Sequence, residues 1–414
     1  MADTVKLLCT WGRAPLVISA TPQVNYLLAE VHPGASPATT VPLNFCMVLD
    51  RSGSMQGAKL ASMKAAAQRV VDTLTPQDVV SLVIFDDTVK VVVPATPAVD
   101  KTALKAQIDT IEEAGGTAMS LGLQAGQAEL QKQLAPDTIA RMLVLTDGQT
   151  WGDEETCRAI ARSLGAAGVR ITALGLGSEW NEQLLDDLAE LTGGTSDYIA
   201  DPQQIDSFFQ RAVQEAQGTA IRQARLILRM VRDVTPRAVY RATPTIANLG
   251  YQPIGQNEVQ VTFGDVAYNA TSSVVLDLLI QSRAAGSFRI AQAELRFVPV
   301  GQSTEQTQKQ DILLDFTTDA QQGTYDPRVM NLVEKVTAFK LQTRALAEAE
   351  AGNLRGATQK LRAAATRLLD LGELDLAGKA QQQADQLEQG GGLSAETQKE
   401  LRYATRRLTQ KLEE

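Results

Sequence analysis

Residues 43–55 read Leu43-Asn44-Phe45-Cys46-Met47-Val48-Leu49-Asp50-Arg51-Ser52-Gly53-Ser54-Met55. The mostly apolar run Leu43 to Leu49 suits a strand buried on both faces of a parallel sheet. The polar residues that follow then stand at its carboxyl end, where open α/β sheets collect their ligands. The Asp50 carboxylate and the Ser52 and Ser54 hydroxyls fall at alternate positions and are expected to converge on one point. All are hard oxygens, the donors Mg2+ prefers.

Two further segments supply what the first lacks. Gly115-Gly116-Thr117 places a hydroxyl in a loop ahead of a helical stretch, Ala118 to Gln133, and a second buried-type strand, Ile139 to Thr146, runs into Asp147-Gly148. Each piece alone reads as ordinary punctuation, because Ser, Thr and Asp cap helices and Asp-Gly makes turns. Together, in this order and on these elements, Asp50, Ser52, Ser54, Thr117 and Asp147 resemble the metal-ion-dependent adhesion site of von Willebrand factor A domains. The likeness spans roughly residues 40 to 220.

That resemblance implies a bound divalent cation, Mg2+ first, with Mn2+ or Ca2+ as alternatives. Ser52, Ser54 and Thr117 would be direct ligands, Asp50 and Asp147 would supply charge and orientation, and one coordination position would be left for a protein partner's carboxylate. Carboxylates acting through water quench a dication only partly, so the metal stays electrophilic toward an outside anion. Asp86-Asp87, after the strand Val79 to Phe85, is read as a solvated turn rather than a further ligand pair.

Strand and helix patterns alternate over residues 41–218, as expected for a doubly wound, Rossmann-like α/β domain. Expected strands lie at Val79 to Phe85, Val89 to Val93, Ile139 to Thr146 and Arg170 to Gly175, the second closing an antiparallel edge hairpin. Helices are expected at Met55 to Leu74, Lys101 to Glu113, Ala118 to Gln133, Glu154 to Ala167, Asn181 to Leu191 and Gln203 to Gln217. Residues 219–320 switch to period-two alternation, as in Glu258 to Phe263, which predicts antiparallel strands. The first 40 residues hold two more, Val5 to Thr10 and Val24 to Val31, too few to form a stable sheet alone. They are expected to pair with the later strands, so that the α/β domain is inserted in a β-sandwich. Residues 325–414 read as amphipathic helices, punctuated by Gly352, Gly372 and Gly390-Gly391-Gly392.

Composition narrows the function. The chain has 414 residues, 44% hydrophobic and 21% charged, which supports two or three globular domains. A net charge of −9 argues against nucleic acid, which needs a basic surface. No apolar run approaches the length of a membrane span, and Met1 to Cys9 lacks a leader's apolar core. Cys9, Cys46 and Cys157 are few, odd in number and scattered, which suits free thiols and a cytoplasmic protein.

An enzyme is not expected. The single histidine, His32, leaves nothing to build a nucleophilic triad or a zinc cluster on. Ser52 occupies the place where aspartyl-phosphate chemistry wants a second carboxylate, and Gly175-Leu176-Gly177-Ser178-Glu179-Trp180 breaks the dinucleotide fingerprint at its last position. The sequence therefore points to an adaptor whose Mg2+ captures an acidic side chain of a partner protein. By resemblance, an AAA-type ATPase is one candidate partner. The alternative is a metal-independent scaffold acting through the helical tail and the β domain.

Overall fold

Every residue of the strand Leu43–Asp50 is buried in the computed structural model, as the apolar run predicts. The structure describes residues 5–34, 41–135, 137–268 and 270–410. The start of the segment Met1 to Cys9 and the end of residues 325–414 lie outside the described residues. The chain divides into two compact units, residues 36–219 with 299–304, and residues 1–35, 220–298 and 305–414.

In the first unit six strands order as Thr195–Ile199, Arg170–Leu176, Ile139–Thr146, Leu43–Asp50, Val79–Phe85 and Val89–Pro97. All pairings are parallel except the edge hairpin of Val79–Phe85 with Val89–Pro97. The two central neighbours, Leu43–Asp50 and Ile139–Thr146, are far apart in sequence, and connections leave them toward opposite edges. Their shared carboxyl ends form the crevice where doubly wound sheets bind ligands.

The helix Met119–Gln131 lies unusually close to this sheet, because two of its residues have no side chain. A Cβ on Gly122 would stand 2.7 Å from Phe85 Cδ1, and one on Gly126 would stand 2.6 Å from Val48 Cγ2. On the other face, Met63, Val70, Phe209 and Val213 of the helices Ala58–Thr73 and Ile205–Gln217 pack with Phe45, Met47 and Leu49 in one apolar core. Burying such side chains stabilises by about 1.5–3 kcal/mol each. Cys46 is fully buried and its thiol is pushed up to about 12 by burial, consistent with a core filler.

The second unit has two large β-sheets, a short ribbon of Thr324–Tyr325 with Arg13–Ala14, and a helical tail. A five-stranded sheet runs Lys6–Trp11, Gln23–His32, Ser272–Ile280, Val234–Thr243 and Ala247–Asn248. Of the two amino-terminal strands, Gln23–His32 pairs with the much later Ser272–Ile280, Leu28 opposite Val275, while Lys6–Trp11 lies at the sheet edge and pairs with Gln23–His32. A six-stranded sheet runs Gln252–Gly255, Glu258–Ala267, Thr219–Met230, Gly286–Pro299, Gln306–Thr317 and Leu16–Val17. Leu27, Val31, Leu226, Leu276 and Leu295 share the core between them. The tail comprises the helices Pro327–Glu350, Leu354–Asp370, Leu374–Glu388 and Ala395–Arg406. Gly352, Gly372 and Gly390 end the first three in left-handed conformations, as their spacing predicts. Val329, Leu332, Val333 and Val336 pack on Leu28, Ala242 and Val275 of the five-stranded sheet. The chain is therefore an α/β domain inserted in a β-sandwich, followed by a helical region.

Candidate metal centre

Three loops meet above the carboxyl ends of Leu43–Asp50 and Ile139–Thr146. Backbone hydrogen bonds join the first two: Gly53 N–H donates to Gly115 O (3.2 Å) and Ala114 N–H to Arg51 O (2.9 Å). Asp87 holds the second loop from outside, accepting the Gly116 N–H at 2.8 Å. A Cβ at Gly116 would lie 2.4 Å from Asp87 Oδ1, so a side chain there would displace that carboxylate and break its hold on the loop. Gly115 adopts a φ of +59°, which favours glycine, with Asp86 Cβ 3.2 Å from its Cβ position.

The five expected side chains come together. Ser54 Oγ donates to Asp147 Oδ1 at 2.6 Å and lies 3.1 Å from Ser52 Oγ. Asp50 Oδ1 accepts the Ser52 N–H at 2.7 Å. A Cβ built on Gly148 would stand 3.1 Å from Thr117 Oγ1 and 4.0 Å from both Asp50 Oδ2 and Ser54 Oγ. One small volume, left clear by a glycine, is therefore faced by oxygens from all three loops. Asp50, Ser52 and Asp147 are buried, Thr117 is half-buried and Ser54 is exposed, so the cluster opens to solvent on its Ser54 side.

The donor chemistry suits a hard dication only partly neutralised by protein. The cluster has two carboxylates and three hydroxyls, and no group of three or more His, Cys, Asp or Glu capable of holding a metal occurs among the described residues. Burial raises the Asp50 carboxyl to about 6 from 3.8; hydrogen bonds from Thr146 and Ser52 oppose the rise and the Asp147 charge adds to it. Such a carboxyl gains from a nearby cation.

Several contributors were not anticipated from sequence. Thr146 Oγ1 donates to Asp50 Oδ2 at 2.6 Å, fixing that carboxylate from behind. Thr150 Oγ1 donates to Thr117 O at 3.1 Å and accepts the Met119 N–H at 3.3 Å, bracing the Thr117 loop. Lys59 Nζ stands 2.5 Å from Asp147 Oδ2. A signal for Lys59 existed: it lies in the first turn of Ala58–Thr73, where the helix dipole disfavours a cation unless a carboxylate is near. Asp86 is not part of a solvated turn. It is buried, paired with Arg51 at 2.5 Å, and accepts from Thr88 Oγ1 at 2.8 Å, so it supports the first loop instead of joining the cluster.

Comparison with known proteins agrees with this architecture. Residues 44–211 match the von Willebrand factor type A domain and residues 327–411 match the Sll0103-like, C-terminal alpha-helical domain. The chain thus contains a von Willebrand factor A domain, followed by a C-terminal helical domain. Over 376 residues, 89% of each chain, it is 27% identical to the uncharacterized protein sll0103 of Synechocystis sp.. It is 28% identical to human inter-alpha-trypsin inhibitor heavy chain H4 over 187 residues, 42% of this chain but 20% of that one. Among solved structures, a von Willebrand factor type A protein from Catenulispora acidiphila superposes with a TM-score of 0.76 at 18% identity, covering 92% of this chain and 90% of the other. The ArnB paralog VWA2 from Sulfolobus acidocaldarius gives 0.58 at 15% identity, with 98% and 99% covered. At these identities the likeness is one of fold. No helix among the described residues is long and apolar enough to cross a membrane.

Proposed function

We propose that Asp50, Ser52, Ser54, Thr117 and Asp147 hold a divalent cation, Mg2+ by preference, with Mn2+ or Ca2+ as substitutes, and that this cation captures a carboxylate of a partner protein. The observation that carries the reading is the convergence of Thr117, Asp50 and Ser54 oxygens within 4.0 Å of the Gly148 Cβ position. Ser52, Ser54 and Thr117 would bind directly, and Asp50 and Asp147 would contribute charge. Two carboxylates against a dication leave an electrophile, which is what acceptance of an external anion requires. We assign no catalytic role, because in this reading the three hydroxyls and two carboxylates are engaged in holding the cation.

In this reading residues 41–218 form the binding domain, residues 1–40 and 219–320 its β-sandwich support, and residues 325–414 a helical scaffold. The three cysteines are unpaired, which fits a reducing, cytoplasmic setting. An AAA-type ATPase as partner rests on family resemblance alone.

Calorimetric titration of the full chain with Mg2+ and Mn2+ tests the proposal. One equivalent should bind, Thr117→Ala and Asp147→Ala should weaken it at least tenfold, and circular dichroism of both variants should match the parent. Unchanged binding in both variants would remove the assignment. Partner capture abolished by truncation before Asp326, yet indifferent to EDTA and Asp50→Ala, would favour the scaffold reading.

A further inference from the structure

The loop that follows Asp147 carries the most exposed large apolar side chain among the described residues, Trp151, at 81%. Trp180, by contrast, is buried at 2%. An isolated surface hydrophobe needs no ligand, but the neighbours of this one are specific. Thr150, directly before it, bonds both Thr117 O and the Met119 N–H, and Asp153, two residues after it, accepts the Ser120 N–H at 2.8 Å. The loop bearing Trp151 is therefore fastened to the Thr117 loop on both sides of the indole. Leu121, 37% exposed, lies in the first turn of the adjoining helix.

Resting on the metal reading above, we propose that Trp151 and the metal centre form one two-part docking surface. Its occupant is a polypeptide segment carrying a carboxylate side chain directly followed by a large apolar or aromatic one. The cation and Lys59 attract the carboxylate, and the indole covers its neighbour. Tryptophan is enriched among residues that dominate binding energy, because it buries a large area at low conformational cost. A loop held at Thr150 and Asp153 presents it without first having to be ordered.

The full chain is loaded with Mn2+, and binding is followed by electron paramagnetic resonance. Three small peptides, N-acetyl-Asp-Phe-amide, N-acetyl-Asp-Gly-amide and N-acetyl-Asn-Phe-amide, are then titrated while the relaxation of their protons by bound Mn2+ is measured. The Asp-Phe peptide should bind about tenfold more tightly than Asp-Gly, and Asn-Phe should not approach the metal. Trp151→Ala should erase the preference with Mn2+ affinity unchanged, and Trp151→Phe should retain most of it. If Mn2+ binds but the two Asp peptides bind equally, or the preference survives in Trp151→Ala, the inference is overturned while the metal reading stands. Failure to bind Mn2+ overturns both.

Discussion

Lys59 and Asp147 form an ion pair inside the candidate centre, Nζ to Oδ2 at 2.5 Å, with the Asp147 side chain fully shielded from solvent. The ammonium occupies one carboxylate oxygen while Ser54 donates to the other. Asp147 is thereby oriented and half neutralised before any metal arrives. Lys59→Met, which keeps the length and removes the charge, should raise Mn2+ affinity roughly tenfold, since a like charge a few ångströms from a dication costs on the order of 1–2 kcal/mol. It should also weaken acetate binding to the loaded site, because a better-quenched metal is a poorer acceptor. Calorimetry reads both, and Mn2+ affinity that stays level or drops would refute this role for Lys59.

Asp50 links metal, protons and stability. Its carboxyl titrates at about 6 in the fold against an ordinary 3.8, chiefly because burial disfavours the anion. Folding therefore favours the protonated form. The metal-free protein has this contribution in full below 3.8 and loses it as the pH rises through about 6, a loss of order 3 kcal/mol by neutrality. In EDTA, Asp50→Asn should raise the melting temperature at about pH 7 and change little at about pH 4. Metal affinity of the parent should fall as the pH drops below about 6, because binding must displace the proton. A melting temperature at neutral pH that the substitution leaves alone or lowers would contradict the assignment.

Gly148 leaves room for the oxygens to meet. A methyl group there would press on Thr117 Oγ1 at 3.1 Å and intrude between Asp50 and Ser54. Gly148→Ala should cut Mg2+ affinity by at least tenfold, with little change in the melting temperature of the metal-free chain, since the affected atoms lie at the rim of the core. Parental affinity in this variant would show that the cation, if any, sits elsewhere.

The strand ends that carry Asp50 and Asp147 were readable because fully buried strands are nearly continuous apolar runs, and polar residues just beyond them stand out. The edge strand Thr195–Ile199 was not anticipated: its sequence mixes Ser196 and Asp197 into a short run, and the buried Asp197 carboxylate pairs with Arg211 and accepts the Tyr198 N–H. The helix expected to reach Glu113 stops at Asp109, and its tail becomes the loop that delivers Thr117. Helix propensity loses there to the contacts of Gly115 and Gly116 with Gly53 and Asp87. Thr146 and Thr150 act through partners dozens of residues away or across a turn, and no local pattern of period or spacing records such pairings; Lys59 left only the trace of a cation in a helix's first turn.

Gly126 connects the core to the site. Its absent side chain lets Met119–Gln131 settle on Val48, Met142 and Cys46, where a Cβ would come within 2.6, 3.0 and 3.2 Å. Those neighbours are fully buried and the nearest, Val48 Cγ2, belongs to a short branched side chain, so Gly126→Ala should overpack the layer and cost about 1–3 kcal/mol, against a gain of at most about 1 kcal/mol in helix propensity. Because Thr117 stands immediately ahead of this helix, lifting it should also move the hydroxyl away from Asp50 and Ser54. The variant should therefore lose both melting temperature and Mg2+ affinity, whereas Gly378→Ala, on the helix Leu374–Glu388 with nothing within 4 Å of its Cβ position, should lose neither. Equal behaviour of the two glycine variants would mean that close helix-to-sheet approach does not set the position of Thr117.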